Sequence, residues 1–518
     1  MRPAALLGLL ACTGCNQFWD LQHADLVELD AHLNLPRIEL TSQIALTLPT
    51  GGFDPVLVYV PLDPAPTIEI GPVDPGDGAL APAAYEPDGT VQIPIDLFAR
   101  DPWRLVYTLD GVTREVHWSP SASGLGHFVE PAFGRVDRRP VPAGGGYTIT
   151  PPNLAANFQH TLTRVFTTGL WTEGEFVLVP PGRTLEYDFG TKAMSQSGPL
   201  GAPENAEGDL GVLADFRIDG TAPNQCRVAS GVAAFQVPDM VEGSRTPPAT
   251  QPMYRMGSQG VRLTVPGNPY DRLRSALGGR SNVAPDAFRW RLGYTPSIAA
   301  FGFAKPGHDV TGVFMSPGPQ IISLVECRFL QGNERLEPDE LYADPGELLD
   351  RFPKIVHAEL VDTRTVNGHL LRSGYSTVVS GTEEVFAVTF GAAAPIAIEL
   401  RRGGTKLASL SDDPDGATIP AGDAPLVLAF DLEGGGSLGA DYFDITLYAV
   451  DVQLSRARLY TVAKRELTID PSVLQSGTEY VFEIRSVRGR PDAVRGDFTT
   501  NSYPQHTATV FTRTFKMP

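Results

Sequence analysis

Nine histidines, four cysteines and sixty carboxylates could do chemistry in this 518-residue chain, so their spacing is read first. No two histidines stand two or four residues apart and there is no His-Glu-x-x-His, so zinc signatures are missing. No phosphate-binding Walker loop occurs either. Gly435-Gly-Ser-Leu-Gly439 fits the nucleophile-elbow spacing, and Gly434, Gly436 and Gly439 fit a dinucleotide fingerprint. Both motifs need a strand, a sharp turn and a helix N-terminus. A strand-like run precedes this stretch, but residues 442–450 after it read as another strand, so an interstrand loop is the expectation. Asp412, Asp413 and Asp415 lie in Ser-Asp-Asp-Pro-Asp-Gly, and clustered carboxylates suit a hard cation such as calcium. Against calcium, Gly422 stands where an EF-hand loop needs Glu, and the same residues make an ordinary turn. Arg272, Arg274, Arg280, Arg289 and Arg291 are the one basic concentration, either a patch for an acidic glycan or lipid head group or a solvated face. A glycosidase pair among the carboxylates would be legible only in geometry. No catalytic residue, resident metal or cofactor is assigned from the sequence.

The elements that would position such residues begin with an address. Met1-Arg2 is a small basic start and Pro3 to Ala11 a short apolar run, the pattern of an export signal. Ala11-Cys-Thr-Gly-Cys15 comes next, and the arrangement resembles the bacterial lipoprotein signal. That resemblance implies acylation of Cys15, with Cys12 as the alternative register, a signal over residues 1–15 and a tether over 16–36. Several acyl chains would anchor the protein stably to a membrane. Asn16 rather than Asp after Cys15 points to the bacterial outer membrane, lipid-anchored. Only six of the 41 basic residues are lysine. With the signal and the Gly/Pro-rich β pattern, the chain resembles large predicted lipoproteins of GC-rich myxobacteria, a resemblance that implies no activity.

The net charge of −19 makes nucleic acid an unsuitable partner, because phosphate contacts need a basic face. No stretch approaches the length of a bilayer-spanning helix. Gly 53 and Pro 46 among 518 residues fit many turns between short strands. The expectation is an all-β protein of several β-sandwich modules in series: an N-terminal β domain at 37–140, a larger middle β domain at 145–355, a connecting β segment at 356–391, and a last module at 392–518. Asp110-Gly111 between alternating arms predicts a hairpin over 104–118, and 175–189 reads as a second one. Short helices are expected only at 270–276 and 344–351.

In the last module, Leu474-x-x-Gly-Thr-x-Tyr480-x-Phe-x-Ile484 resembles the E–F corner and F strand of a fibronectin type III domain. The resemblance implies a sandwich in which the Tyr480 hydroxyl bonds back to upstream backbone. It departs from the family at Ser476, where Pro is usual, and at Phe430, where strand B carries Trp.

With Cys15 acylated and Cys12 removed, Cys226 and Cys327 remain. An oxidising compartment would favour a disulfide between them; two buried free thiols are the alternative. The function expected is a membrane-anchored envelope lipoprotein with a non-catalytic binding or structural role. Its partners would be the membrane, through the N-terminal lipid, and an unknown protein or glycan ligand. The alternatives are a cell-surface glycan hydrolase, or a carbohydrate-binding protein with Trp171 or Trp290 as exposed aromatic platforms.

Overall fold

A computed structural model describes residues 38–46, 56–92, 102–109, 111–118, 126–131, 142–149, 162–167, 172–176, 185–188, 210–221, 224–247, 258–281, 287–294, 322–329, 339–343, 354–382, 384–434, 438–450, 454–498 and 503–518. Among the described residues the architecture is all-β, mostly strands with one short α-helix. Residues 1–37, including Cys12 and Cys15, lie outside the described residues, as do Trp171 and the helix expected at 344–351.

Alternation of apolar and polar side chains builds the N-terminal part. β1 (Ile38–Leu46) pairs antiparallel with β2 (Val56–Pro61) and parallel with β6 (Gly126–Pro131). β3 (Ile68–Pro72) pairs with β4 (Trp103–Leu109), which forms the expected hairpin with β5 (Val112–Trp118). Gly111 takes φ +74° at that turn, a region open to glycine. Trp103, Trp118 and Phe128 bury their rings together with Phe498, Tyr442 and Val487 from the far end of the chain.

The hairpin expected at 175–189 does not form. β8 (Thr172–Phe176) pairs instead with β7 (Leu162–Thr167), while β9 (Leu185–Asp188) pairs with 146–149 in another sheet. Only residues 168–171 separate β7 from β8, a shorter loop than 177–184, and short closures lose less chain entropy.

A broad sheet carries the rest. β10 (Leu210–Thr221) and β11 (Asn224–Gln236) form a long hairpin. After α1 (Pro269–Leu277) come β12 (Ala287–Tyr294) and β13 (Ile322–Phe329). β14 (Lys354–Val366) and β15 (His369–Ser380) form a second long hairpin through Asn367 (φ +48°) and Gly368 (φ +84°). The order β11–β13–β12–β14–β15 is set by antiparallel pairings throughout. The segment expected as a connection at 356–391 thus supplies central strands of the sheet.

The last part is a two-sheet sandwich. One sheet holds β16 (Pro395–Arg402), β17 (Leu426–Leu432) and β20 (Glu466–Ile469). The other holds β18 (Tyr442–Ala449), β19 (Ser455–Val462), β21 (Glu479–Arg488) and β22 (Gln505–Phe511). Leu400, Leu428 and Phe430 of the first face Phe443, Ile445 and Phe482 of the second in one core. β22 also pairs with β15, and β19 pairs in parallel with β5. One hydrophobic cluster runs from Leu210 to Met517, so sheet and core continue across the boundaries expected near 355 and 391.

Candidate binding cleft

The glycine-rich turn between β17 and β18 lies beside two open cavities. Residues 435–437 are outside the described residues, so the nucleophile-elbow reading of Ser437 is not placed. Gly434, Leu438 and Gly439 are described, and they lead into strand β18, not into a helix. One cavity, of about 860 Å³, is lined by Glu433, Leu438, Phe443 and the exposed Lys464, Arg465 and Glu466. The other, of about 770 Å³, is lined by Asn268, Arg272, Gly391, Leu438, Asp441, Arg488 and His506. Leu438 borders both.

Each charged group on the wall of the second cavity is positioned by identifiable bonds. Asn268 caps α1, its side chain accepting from the N–H groups of Tyr270 and Asp271 at 3.2 and 3.3 Å. Arg272, on the first turns of α1, donates from Nε and Nη2 to Glu433 Oε1 at 2.8 and 2.6 Å, and to the carbonyls of Phe390 and Ala392. Its guanidinium lies 4.2 Å from the Tyr375 ring centre, a cation–π arrangement. The Tyr375 hydroxyl sits 2.7 and 2.8 Å from the two Glu433 oxygens. Burial and that carboxylate push the Tyr375 hydroxyl far up, so it stays a donor. Arg272 and Glu433 therefore form a fixed partition, one facing each cavity.

Elsewhere in the lining, Asp441 Oδ2 accepts from the N–H groups of Gly489 and Arg490 at 2.7 and 2.8 Å, and Arg488 donates to the Gly391 carbonyl at 3.0 Å. His506 Nδ1 is 2.7 Å from Thr377 Oγ1. Burial, then the charges of Arg488 and Arg272, pull His506 down to about 4, so it is neutral at pH 7. Any side chain at Gly391 would meet the His506 ring, since a Cβ there would sit 2.7 Å from it.

These bonds decide what the cleft can do. Hydrolysis of a glycoside needs two carboxyl groups facing each other at roughly 5 to 10 Å. Asp441 is the one carboxylate among the described lining residues of the second cavity, and it holds the 489–490 turn. The first cavity is lined by Asp431, Glu433 and Glu466, and in the second Arg, Asp, Asn and neutral His in fixed orientations offer hydrogen bonds to a polar ligand.

The remaining sequence candidates lie elsewhere in the fold. Cys226 and Cys327 are disulfide-bonded, with Cα atoms 4.0 Å apart, at register positions directly opposite each other on β11 and β13. Tyr480 is 2% exposed, and its hydroxyl accepts from the Gln475 N–H at 2.7 Å. Asp412, Asp413 and Asp415, the turn that was the weak calcium candidate, are bonded within the protein. Asp415 is held by Arg364 and Arg513 at 3.0 and 3.1 Å and accepts from the Thr514 N–H. Burial opposes its ionisation, but that bond and the two arginines keep its carboxyl below the usual range. Asp412 and Asp413 accept from the Ser409 hydroxyl and N–H. Among the described residues no group of three or more His, Cys, Asp or Glu could hold a metal.

The five arginines of 272–291 do not share one face. Arg280 is buried and donates to the carbonyls of Ala276 and Leu277 at the end of α1, while Arg274 is 3.7 Å from Asp271. Trp290 is 1% exposed in the core and is no ligand platform. The cleft itself was missed in the sequence, because its walls come from five separated segments; only the glycine run marked its edge.

No protein-family model matches the chain, and no curated protein matches it. Among the described residues no helix is long and apolar enough to cross a membrane.

Proposed function

We propose that the protein is a membrane-anchored envelope lipoprotein with a non-catalytic binding role, held in the outer membrane by acylated Cys15. The cleft carries the binding part: its volume of about 770 Å³ falls in the range of small-molecule sites. Its charged groups are fixed donors and acceptors rather than a nucleophile with a base. The Cys226–Cys327 bond supports an exported protein, because such bonds persist in oxidising compartments. The 392–518 sandwich is read as fibronectin type III-like, supported by its two-sheet strand pairing and the Tyr480–Gln475 bond. In this reading the β modules are a scaffold that holds the cleft away from the lipid anchor.

The test has two parts. In a Gram-negative host, metabolic acyl labelling of the full chain is expected to track Cys15, and Cys15→Ala to release the protein from membranes. Soluble oligosaccharides from envelope digests are then screened by thermal shift, and bound material is recovered. Recovery of intact ligand, lost on Asp441→Asn or Arg488→Ala, supports the reading. Recovery of shortened ligand with new reducing ends overturns it in favour of a hydrolase.

A further inference from the structure

Away from the cleft, one oxygen of Glu479 meets two nitrogen-bearing side chains. Its Oε2 accepts from Asn367 Nδ2 at 3.1 Å and lies 3.5 Å from Lys516 Nζ. Its other oxygen, Oε1, accepts from the hydroxyl of Thr514, a residue at 0% exposure, and that hydroxyl in turn accepts from the Gly416 N–H at 2.8 Å. The carboxylate is therefore pinned from behind, and its side chain is 12% exposed.

The three groups come from separate parts of the fold, and backbone pairing fixes each. Asn367 stands with Gly368 at the tip of the β14–β15 hairpin, in the left-handed region that such a tight turn requires (φ +48°). Glu479 opens β21 and stands directly opposite Lys516 of the strand Phe515–Lys516. On its other side Lys516 pairs in parallel with Thr418. Lys406 offers a contrast. It lies 2.9 Å from Glu399, but the other partner of that carboxylate is Arg401, and no carboxamide joins them.

An amine, a carboxamide and a carboxylate are the set that one amide exchange needs. We propose that Lys516 and Asn367 are a modification site, where the protein forms its own isopeptide bond with Glu479 as proton shuttle. The Lys516 ammonium gives a proton to Glu479 Oε2, which frees the lone pair on Nζ. Nζ attacks Asn367 Cγ and a new C–N bond forms. Nδ2 takes the proton from Glu479, and the Cγ–Nδ2 bond breaks. The joined nitrogen sheds its surplus proton to the departing ammonia. The products are one secondary amide, one ammonium ion and Glu479 again as carboxylate; nothing is oxidised or reduced. One oxygen beside both nitrogens serves the entering and the leaving group in turn, as general acid–base catalysis requires. Fixed strands hold the reactants together, and the flexible lysine stem closes the remaining gap. The bond ties the C-terminal strand to the tip of a central hairpin across a long loop of chain, which lowers the entropy of the unfolded state.

The experiment uses full-length protein, reduced, denatured, digested with trypsin and read by tandem mass spectrometry. In the unlinked chain trypsin cuts after Arg364, Arg372, Arg513 and Lys516. The expected product joins Thr365–Arg372 to Thr514–Pro518, uncut at Lys516 and lighter than its two parts by one ammonia. Asn367→Ala and Lys516→Arg should each abolish it. Glu479→Gln, with circular dichroism unchanged, should slow its appearance by about a hundredfold or more, the share of a general acid–base group. Lys406 is the control and should be cut normally. Separate peptides with Asn367 and Lys516 both intact, after prolonged incubation at neutral pH, would overturn the proposal. Hydrolysis of the Asn367 amide by water with Lys516 left free would do the same, as would a link that forms equally fast in Glu479→Gln.

Discussion

Buried titratable side chains are where a sequence says least and coordinates say most. His357 and His506 are ordinary by spacing, yet burial lowers both to about 4. Each has an unfolded value near 6.5. Between these values the unfolded chain binds more protons, so stability is complete above about 6.5 and falls as the pH drops toward 4. The loss should be on the order of 3 kcal/mol for each histidine at the lower end. Urea unfolding at neutral pH and near the lower limit checks it; the double variant His357→Gln, His506→Gln should flatten that dependence. Tyr480 was legible in advance, because Leu474-x-x-Gly-Thr-x-Tyr names a local corner whose partner, Gln475, lies five residues away. Tyr480→Phe should lower stability by about 1 kcal/mol, the net value of one hydrogen bond. Urea melts read the change; an unaltered midpoint would mean that the bond contributes nothing. At Asp412, Asp413 and Asp415, where a turn and a calcium loop were both readable, a string of carboxylates does not reveal that Arg364 and Arg513, remote in sequence, pair with Asp415.

Strands were legible where period-two alternation or a glycine turn was local. β4 and β5 are the best case, since Asp110-Gly111 fixes both the turn and the register. Asn367-Gly368 carries the same signal for β14 and β15, and reading 356–391 as a connection overlooked it. At 175–189 alternation was present, but partner choice was not local, and β8 and β9 went to different sheets. The disulfide ties the less local pairings down. It joins β11 to β13 across a sequence separation of 101 residues, and β12, which pairs β13, lies between them in the chain. Closing a loop that long stabilises by up to about 4.7 kcal/mol when the constraint on the unfolded chain is counted alone. Cys226→Ser with Cys327→Ser should therefore lower the unfolding midpoint by several degrees. Reductant should lower wild type to the same level and leave the variant unmoved. Equal midpoints with and without reductant would show that the bond adds no stability.

At the scale of the whole molecule, the pairing of β5 with β19 brings together residues more than 300 positions apart, which no reading by modules foresees. Its centre is Glu115, 2% exposed, with Arg458 at 2.6 Å, His117 at 2.7 Å and Arg104 at 3.2 Å. Burial would raise the Glu115 carboxyl, but the bond to His117 and the charges of His117, Arg458 and Arg104 outweigh it and lower it to about 2. The unfolded value is near 4.5, so the stabilisation is whole above that pH and is lost as the pH falls toward 2, a window below that of the histidines. Glu115→Gln leaves Arg104 and Arg458 facing a neutral group, which costs about 3 kcal/mol or more for a broken buried pair. In limited proteolysis it should expose the 103–118 hairpin before the sandwich. The same contacts determine what a fragment can do. Cut at 392, the sandwich loses β15 from the edge of β22 and β5 from the edge of β19. It also uncovers Phe498 and Val487, which pack with Trp103, Trp118 and Phe128, and Phe511, which packs with Val366 and Leu371. Open strand edges beside bared aromatic surface favour association between chains. Expressed alone, 392–518 should aggregate or unfold without a cooperative transition, whereas the full chain melts cooperatively. Size-exclusion chromatography and circular dichroism melts decide it. A monomeric fragment that unfolds at the full chain's midpoint would mean that the shared sheet and cores contribute little, and that the sandwich stands as a module of its own.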